Sequence, residues 1–237
     1  VDIHDIGLEG KDRVKNAFGG GFPKGSIVVV KGLEGTGKTI LSQRVLYGLC
    51  EEGKSVAYVT PEFGSGDFVD QMESLDYPVM NHMLVTRNLL FITADLENTE
   101  DGLLGRLIGN DASKIWNQDF VIFDGLEMLV RSDRFRRTNK SDDLDVQKFI
   151  NYIERIRDSG LTVLITFNPS RLRDSVSEMF SDRADVLLDM MTDDEGGSVD
   201  HMIRVRKYNR MNDEVDPIIS FEVQSGNGMI IKTHSVT

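Results

Sequence analysis

Eight consecutive residues, Gly32-Leu33-Glu34-Gly35-Thr36-Gly37-Lys38-Thr39, match the spacing GxxxxGK[ST]. Glycines at 32, 35 and 37 let the backbone curl with its N–H groups turned inward, the geometry that cradles a phosphate. Lys38 reaches the outer phosphates of a polyphosphate, Thr39 offers its hydroxyl to Mg2+, and a helix opening at Ile40 adds the partial positive charge of its N-terminus. Glu34 is an odd occupant of such a loop because its carboxylate lies near the phosphates; it should point outward or be offset by Mg2+. A glycine-rich strand-to-helix turn without a ligand is the bland alternative. The setting disfavours it, because the motif directly follows an apolar run at 26–30 and directly opens a helical pattern.

A second group complements the first. Phe120-Val-Ile-Phe123-Asp124 is an apolar strand ending in a carboxylate, about 85 residues downstream of the loop, and ligands of parallel sheets collect at such strand ends. Asp124 is therefore the candidate partner of Thr39 for Mg2+, usually through water. Glu62, two residues past a strand at 55–60, is the candidate base that orients an attacking water; the alternative is a solvated loop glutamate. Glu127 competes for that role but is expected to face a neighbouring loop. Thr166 and Asn168, at the end of the strand 161–168, either sense the terminal phosphate or cap the following turn.

Those residues need a frame that brings strand ends together. Short β-branched runs alternate with helical patterns, which predicts an α/β fold with a mostly parallel sheet flanked by helices. Strands are expected at 26–30, 55–60, 89–93, 120–124, 161–168 and 185–190. Leu41, Val45, Leu46 and Leu49 recur at helical spacing up to Gly53, and Val146, Phe149, Ile150, Ile153 and Ile156 do so up to Gly160. Asp67 is expected to cap a short helix through Phe68, Met72 and Leu75, and Tyr77-Pro78 to break it. A helical stretch from Thr99 to Trp116 is interrupted by Gly102, Gly105 and Gly109. From residue 201 on, strands at 201–207, 218–223 and 229–232, the last two joined through Asn227-Gly228, predict an antiparallel edge. The expectation is one domain over 1–237, with 1–18 as a lead-in.

The chain has 27 Lys+Arg against 39 Asp+Glu, a net charge of −12, and 40% hydrophobic residues. That composition supplies a core and disfavours wrapping a nucleic-acid backbone. The lone cysteine, Cys50, rules out an internal disulfide framework, so a reducing cytoplasm is expected. Histidines at 4, 82, 201 and 234 lack ligand spacing; a metal would arrive with a substrate. No window approaches about 18 apolar residues, and Asp2, Asp5 and Glu9 stand where a signal peptide carries basic side chains.

A phosphate loop on the first long strand, a glutamate after the next, an Asp-ending strand and an antiparallel tail together resemble the RecA/KaiC-like ATPases. The resemblance runs from about Gly19 to the end. It includes Gly19-Gly-Gly21-Phe-Pro-Lys-Gly25-Ser26, Leu41-Ser-Gln-Arg44, Tyr47-Gly48 and Gln71-Met-Glu-Ser-Leu75, the last of which tilts it toward the accessory ATPases of the archaeal flagellum, or archaellum. The resemblance implies a P-loop three-layer sandwich that binds Mg·ATP. It implies a regulatory subunit at the cytoplasmic face of the membrane, with weak hydrolysis and ATP-dependent docking. Its partners would be the archaellum motor ATPase, the platform membrane protein and the ring components. It also implies a homo-hexameric ring in which a neighbour's Lys-x-Arg pair completes each site. Here that stretch reads Lys207-Tyr208-Asn209-Arg210, so Lys207 matches while the arginine is displaced by one residue, and alternation along a strand can re-aim it.

Two other classes are less well supported. Arg131, Arg134, Arg136, Arg137 and Lys140 lie where a recombinase would place a DNA-contacting loop, but Asp133, Asp142 and Asp143 interleave with them. An autokinase would need a marked acceptor hydroxyl, and none stands out. Cys50 and Trp116 are expected to be core, and Tyr208 to pack locally rather than stack on a base.

Overall fold

The computed structural model describes residues 1–93, 103–108, 112–132, 141–193 and 200–232. The chain opens with an antiparallel pair, β1 (Ile3–Asp5) and β2 (Gly21–Pro23), around the single-turn helix α1 (Val14–Ala17). β3 (Ile27–Gly32) runs through the glycine-rich loop into α2 (Lys38–Glu51), followed by β4 (Val56–Thr60). Next come α3 (Ser65–Ser74), α4 (Met80–Leu84), β5 (Leu89–Thr93), α5 (Leu103–Ile108) and α6 (Ser113–Trp116). β6 (Phe120–Phe123), α7 (Leu126–Ser132), α8 (Ser141–Ile156), β7 (Thr162–Phe167) and α9 (Asp174–Arg183) lead to the closing strands. These are β8 (Val186–Asp193), β9 (Asp200–Tyr208), β10 (Ile218–Gln224) and β11 (Gly228–Ile231).

Nine strands form one sheet in the order β11-β10-β9-β8-β3-β7-β6-β4-β5. β8 through β5 in that order run parallel, and β9, β10 and β11 extend the sheet antiparallel. β3 lies between β7 and β8, whereas β4, its successor in the chain, lies beyond β7 and β6. The connection after β3 runs to the β4 side and the connection after β7 crosses to β8 on the other side of β3, which opens a crevice at the carboxyl ends of the central strands.

The central strands are apolar on both faces, as sheets covered on both sides require. Val28, Val30, Tyr58, Ile122 and Leu164 pack on one face with Leu41, Val45, Leu46 and Leu49 of α2. Val29, Val59, Val121, Phe123 and Ile165 pack on the other with Phe149 and Ile153 of α8 and Phe180 of α9. Alternation of side chains along each strand therefore yields the three layers. Residues Leu41 to Cys50 of α2 are all buried, polar ones included, so this helix is enclosed all round and shows no amphipathic stripe.

The N-terminal segment is held by one of those buried polar residues. Arg44 of α2 donates to the carbonyls of Ile6 at 2.7 Å and Gly7 at 3.0 Å, and to Asp12 Oδ1 at 3.1 Å. Its Nε also bonds Asp12 Oδ2, and both side chains are essentially solvent-free.

Two local expectations need correction. Asp67 does not cap α3: Gly64 occupies the cap position and Asp67 sits in the first turn, where its charge still favours the helix dipole. Gly105 lies inside α5 without breaking it, while Gly102 and Gly109 fall outside the described residues. Asn227-Gly228 does lie in the connection between β10 and β11: Gly228 pairs with Gln224, and residues 225–227 make the turn, with positive φ at Gly226.

Candidate functional site

α2 starts at Lys38, with Gly37 at its cap position and a φ of 93°. A side chain there would be strained, and its Cβ would lie 2.9 Å from Phe221 Cζ of β10, so the loop closes against the antiparallel tail only with glycine at this point. No side chain caps the first turn; the ladder begins with Leu41 N–H donating to the Gly37 carbonyl at 3.0 Å. The residues before it, Gly35, Gly37, Lys38 and Thr39, line the crevice at an uncapped helix start, an arrangement suited to anions. Thr36 Oγ1 and Lys38 Nζ both donate to the Leu33 carbonyl, each at 2.8 Å.

The loop borders a cleft of about 560 Å³ whose wall includes Lys38, Thr39, Ile40, Glu62 and Glu127. Asp124 directly follows β6 behind that wall and is 1% exposed. Tyr58 OH donates to its Oδ2 at 2.8 Å and Thr166 Oγ1 to its Oδ1 at 2.7 Å. Gly125 N–H in turn donates to Thr166 Oγ1 at 3.0 Å, and Ser42 Oγ bonds Tyr58 OH at 3.1 Å. The carboxylate is thus fixed by hydroxyls from two neighbouring strands. Tyr58 was not foreseen; nothing in a buried strand distinguishes a tyrosine that orients a carboxylate from one that packs.

Glu62 follows β4, its N–H donating to Thr60 Oγ1 at 3.1 Å. Its side chain lies over Gly125, where a Cβ would meet Glu62 Oε1 at 2.8 Å. Glu127 was expected to face a neighbouring loop; its carboxyl does meet the backbone of Asn168 in the loop after β7, and it lines the cleft as well. The positive φ of Gly125 turns the chain sharply into α7, and the first turn of that helix carries Glu127 back into the cleft, 2% exposed. Its Oε2 has no hydrogen-bond partner among the described residues.

These groups perturb one another. Desolvation pushes the Lys38 amine below its ordinary value, opposed by Glu127 most strongly, then Asp124 and Glu62. Glu62 is raised by desolvation and by the charges of Asp124 and Glu127, and desolvation likewise raises Glu127. Two carboxyls with raised values beside a depressed lysine form the pattern of groups poised for proton and metal chemistry.

Asn168 lines the cleft while its Oδ1 accepts from Ser170 N–H at 3.0 Å and Ser170 Oγ at 2.8 Å, capping a 3-10 turn at Pro169–Arg171. That turn brings Arg171 to the cleft, where His201 of β9 also contributes; neither carried a motif. Lys207 donates to the Ala184 carbonyl, and Arg210 to the carbonyls of Lys24 and Gly25 at 3.1 Å each. Both sit at the amino-terminal ends of β8 and β3, away from Lys38 of the same chain. Tyr208 packs locally, stacked on Phe22 with its hydroxyl on the carbonyls of Phe18 and Gly21. Cys50 is buried, its thiol pushed up to about 12 by desolvation and Glu51. Trp116 packs against Phe123 and Phe149. Of the 131–140 cluster, residues 133–140 lie outside the described residues.

The family described as ATPase: KaiC matches residues 5–236. The archaeal flagellar ATP-binding protein FlaH of Methanococcus voltae is 30% identical, over 95% of this chain and 96% of that protein. Its counterpart from Methanocaldococcus jannaschii is 29% identical, over 95% and 94%. The crystal structure of the flagellar accessory protein FlaH from Methanocaldococcus jannaschii superposes with a TM-score of 0.87 at 27% identity, covering 98% of this chain and all of that one. A KaiC-like protein from Pyrococcus horikoshii shares the fold, with a TM-score of 0.75 at 19% identity over 98% of this chain and all of that one.

Proposed function

The chain belongs to the FlaH family of KaiC-like ATPases, and from that premise we propose that it is an ATP-binding regulatory subunit of the archaellum motor complex. The observation that carries this reading is the uncapped start of α2, with Lys38 facing a cleft backed by Glu62, Asp124 and Glu127. The amides of the loop from Gly32 to Ile40 would bind the phosphates, with Lys38 neutralising the β- and γ-groups.

The residues present fit Mg2+ brought in with the nucleotide. Among the described residues, no group of three or more His, Cys, Asp or Glu could hold a metal unaided, so the phosphates must complete any site. Thr39 would contribute its hydroxyl, Asp124 would hold a metal-bound water, and the buried Oε2 of Glu127, which has no hydrogen-bond partner among the described residues, leaves a further acceptor beside the cleft. Bound there, Mg2+ would neutralise phosphate charge. Glu62 would orient the attacking water.

Slow turnover fits the arrangement of the distant basic residues. Lys207 and Arg210 are engaged with backbone carbonyls, so either would have to change partners to complete a neighbour's site in a hexameric ring. Slow turnover in turn suits a subunit whose nucleotide state, rather than its hydrolysis rate, controls docking. The partners would be the motor ATPase, the platform membrane protein and the ring components at the cytoplasmic face of the membrane. No described helix is long and apolar enough to cross a membrane, so attachment there would run through those partners.

The test is capture of the archaellum motor ATPase by the immobilised protein with and without Mg·ATP. Capture should depend on nucleotide and be lost in Lys38→Ala. Capture that ignores nucleotide, or rapid ATP turnover without capture, would contradict the regulatory reading.

A further inference from the structure

Glu34 stands inside the phosphate loop, where a negative charge opposes phosphate binding, and it is not left unpaired. Its side chain points out to solvent, 79% exposed, and its Oε2 forms an ion pair with Arg171, whose own side chain is 38% exposed. The two residues are 137 positions apart, so the pair ties the loop after β3 to the 3-10 turn after β7 across the mouth of the cleft. Arg171 is the one arginine among the described residues that lines this cleft. Its charge is felt inside: it helps depress Lys38 and helps hold Glu62 ionised. The turn that carries it is stiffened by proline at 169 and by the Asn168 cap, so the guanidinium is delivered from a fixed base.

An exposed ion pair of this kind contributes little net stability, so a stronger anion can displace it. A terminal phosphate offers Arg171 two oxygens that its guanidinium fork can bind together and more negative charge than the mostly solvated Glu34 carboxylate. We propose that Arg171 is a specificity-determining residue that exchanges Glu34 for the γ-phosphate, so that the Glu34–Arg171 pair opens for a nucleoside triphosphate and stays closed for a diphosphate. Glu34 acts as the competitor that sets how much γ-phosphate affinity is needed to open the pair. Its released carboxylate, together with Leu33, 57% exposed beside it, would then present a changed rim to a partner.

This inference rests on the ATP-binding reading, and the experiment separates the two. Fluorescent ATP and ADP analogues are titrated, each with Mg2+, into wild type, Arg171→Ala, Glu34→Gln and the double variant. Arg171→Ala should weaken the triphosphate about tenfold or more, as loss of a charge-assisted contact does, and leave the diphosphate within about twofold. Glu34→Gln should tighten the triphosphate, and that gain should vanish when Arg171 is also absent, a non-additivity that only a shared partner produces. Equal losses for both nucleotides, no loss for either, or a Glu34→Gln gain that persists without Arg171 would overturn the exchange. Failure of wild type to bind either nucleotide would instead overturn the ATP-binding reading itself. Thermal unfolding midpoints of all four proteins confirm that affinities are compared between folded chains.

Discussion

At the scale of single residues, the site is built at the expense of stability. Glu62 and Glu127 are raised above the ordinary glutamate value of 4.5. In the pH range above 4.5 the folded state therefore holds protons that the unfolded chain has released, and folding stability falls as pH rises toward the raised values. Replacing the more buried of the two should remove part of that slope. Urea unfolding of nucleotide-free Glu127→Gln and wild type, from about pH 4.5 to pH 8, should show the variant gaining on wild type as pH rises. A difference independent of pH would mean that Glu127 is not strained by burial in the folded state. The residues at fixed spacing within one segment, Lys38 and Thr39, were legible because a tight loop leaves them one geometry. Asp124 and Glu62 were legible because parallel strands deliver their ends to one crevice. Glu127 was not, since its direction is decided by the Gly125 turn, and Arg171 was not, since its partner stands at the other side of the cleft mouth.

At the scale of elements, α2 joins the phosphate loop to the N-terminal segment. Lys38 opens the helix, and Arg44, six residues on, buries its guanidinium against Asp12 and the Ile6 and Gly7 carbonyls. Removing one member of a buried pair leaves the other charge without compensation, at a cost of about 3–5 kcal/mol. Asp12→Ala should thus lower stability by about that amount, read from the denaturation midpoint at constant slope. A loss below about 1 kcal/mol, typical of an exposed pair, would show that water reaches Arg44. This junction was invisible in the sequence: three-residue strands and a one-turn helix are too short for periodicity, and an arginine inside an apolar helical pattern gives no sign of its partner. α9 escaped for a related reason, with Val176 and Phe180 as its only fully buried side chains. The long central strands were legible because burial on both faces demands unbroken apolar runs, and α2 because Leu41, Val45, Leu46 and Leu49 recur at helical spacing.

At the scale of the whole molecule, the parallel sheet gathers the ends of β3, β4, β6 and β7 around one cleft, and the antiparallel strands back the phosphate loop through Phe221. Alternation of strands and helices predicted the layers, but the strand order could not be read, because pairing partners are chosen by packing across distant parts of the chain. A ligand bound in this cleft touches loops from four strands, so it should stabilise the molecule as a unit. Mg·ATP at a hundred times its dissociation constant contributes about 2.7 kcal/mol, which for a chain of this size raises the unfolding midpoint by roughly 5–10 °C. The most direct test of the account is calorimetric titration of Mg·ATP into wild type and into Lys38→Ala, each first shown to be folded. Saturable one-site binding by wild type and its loss in Lys38→Ala is the predicted result; undiminished binding by the folded variant would contradict the assignment of the site.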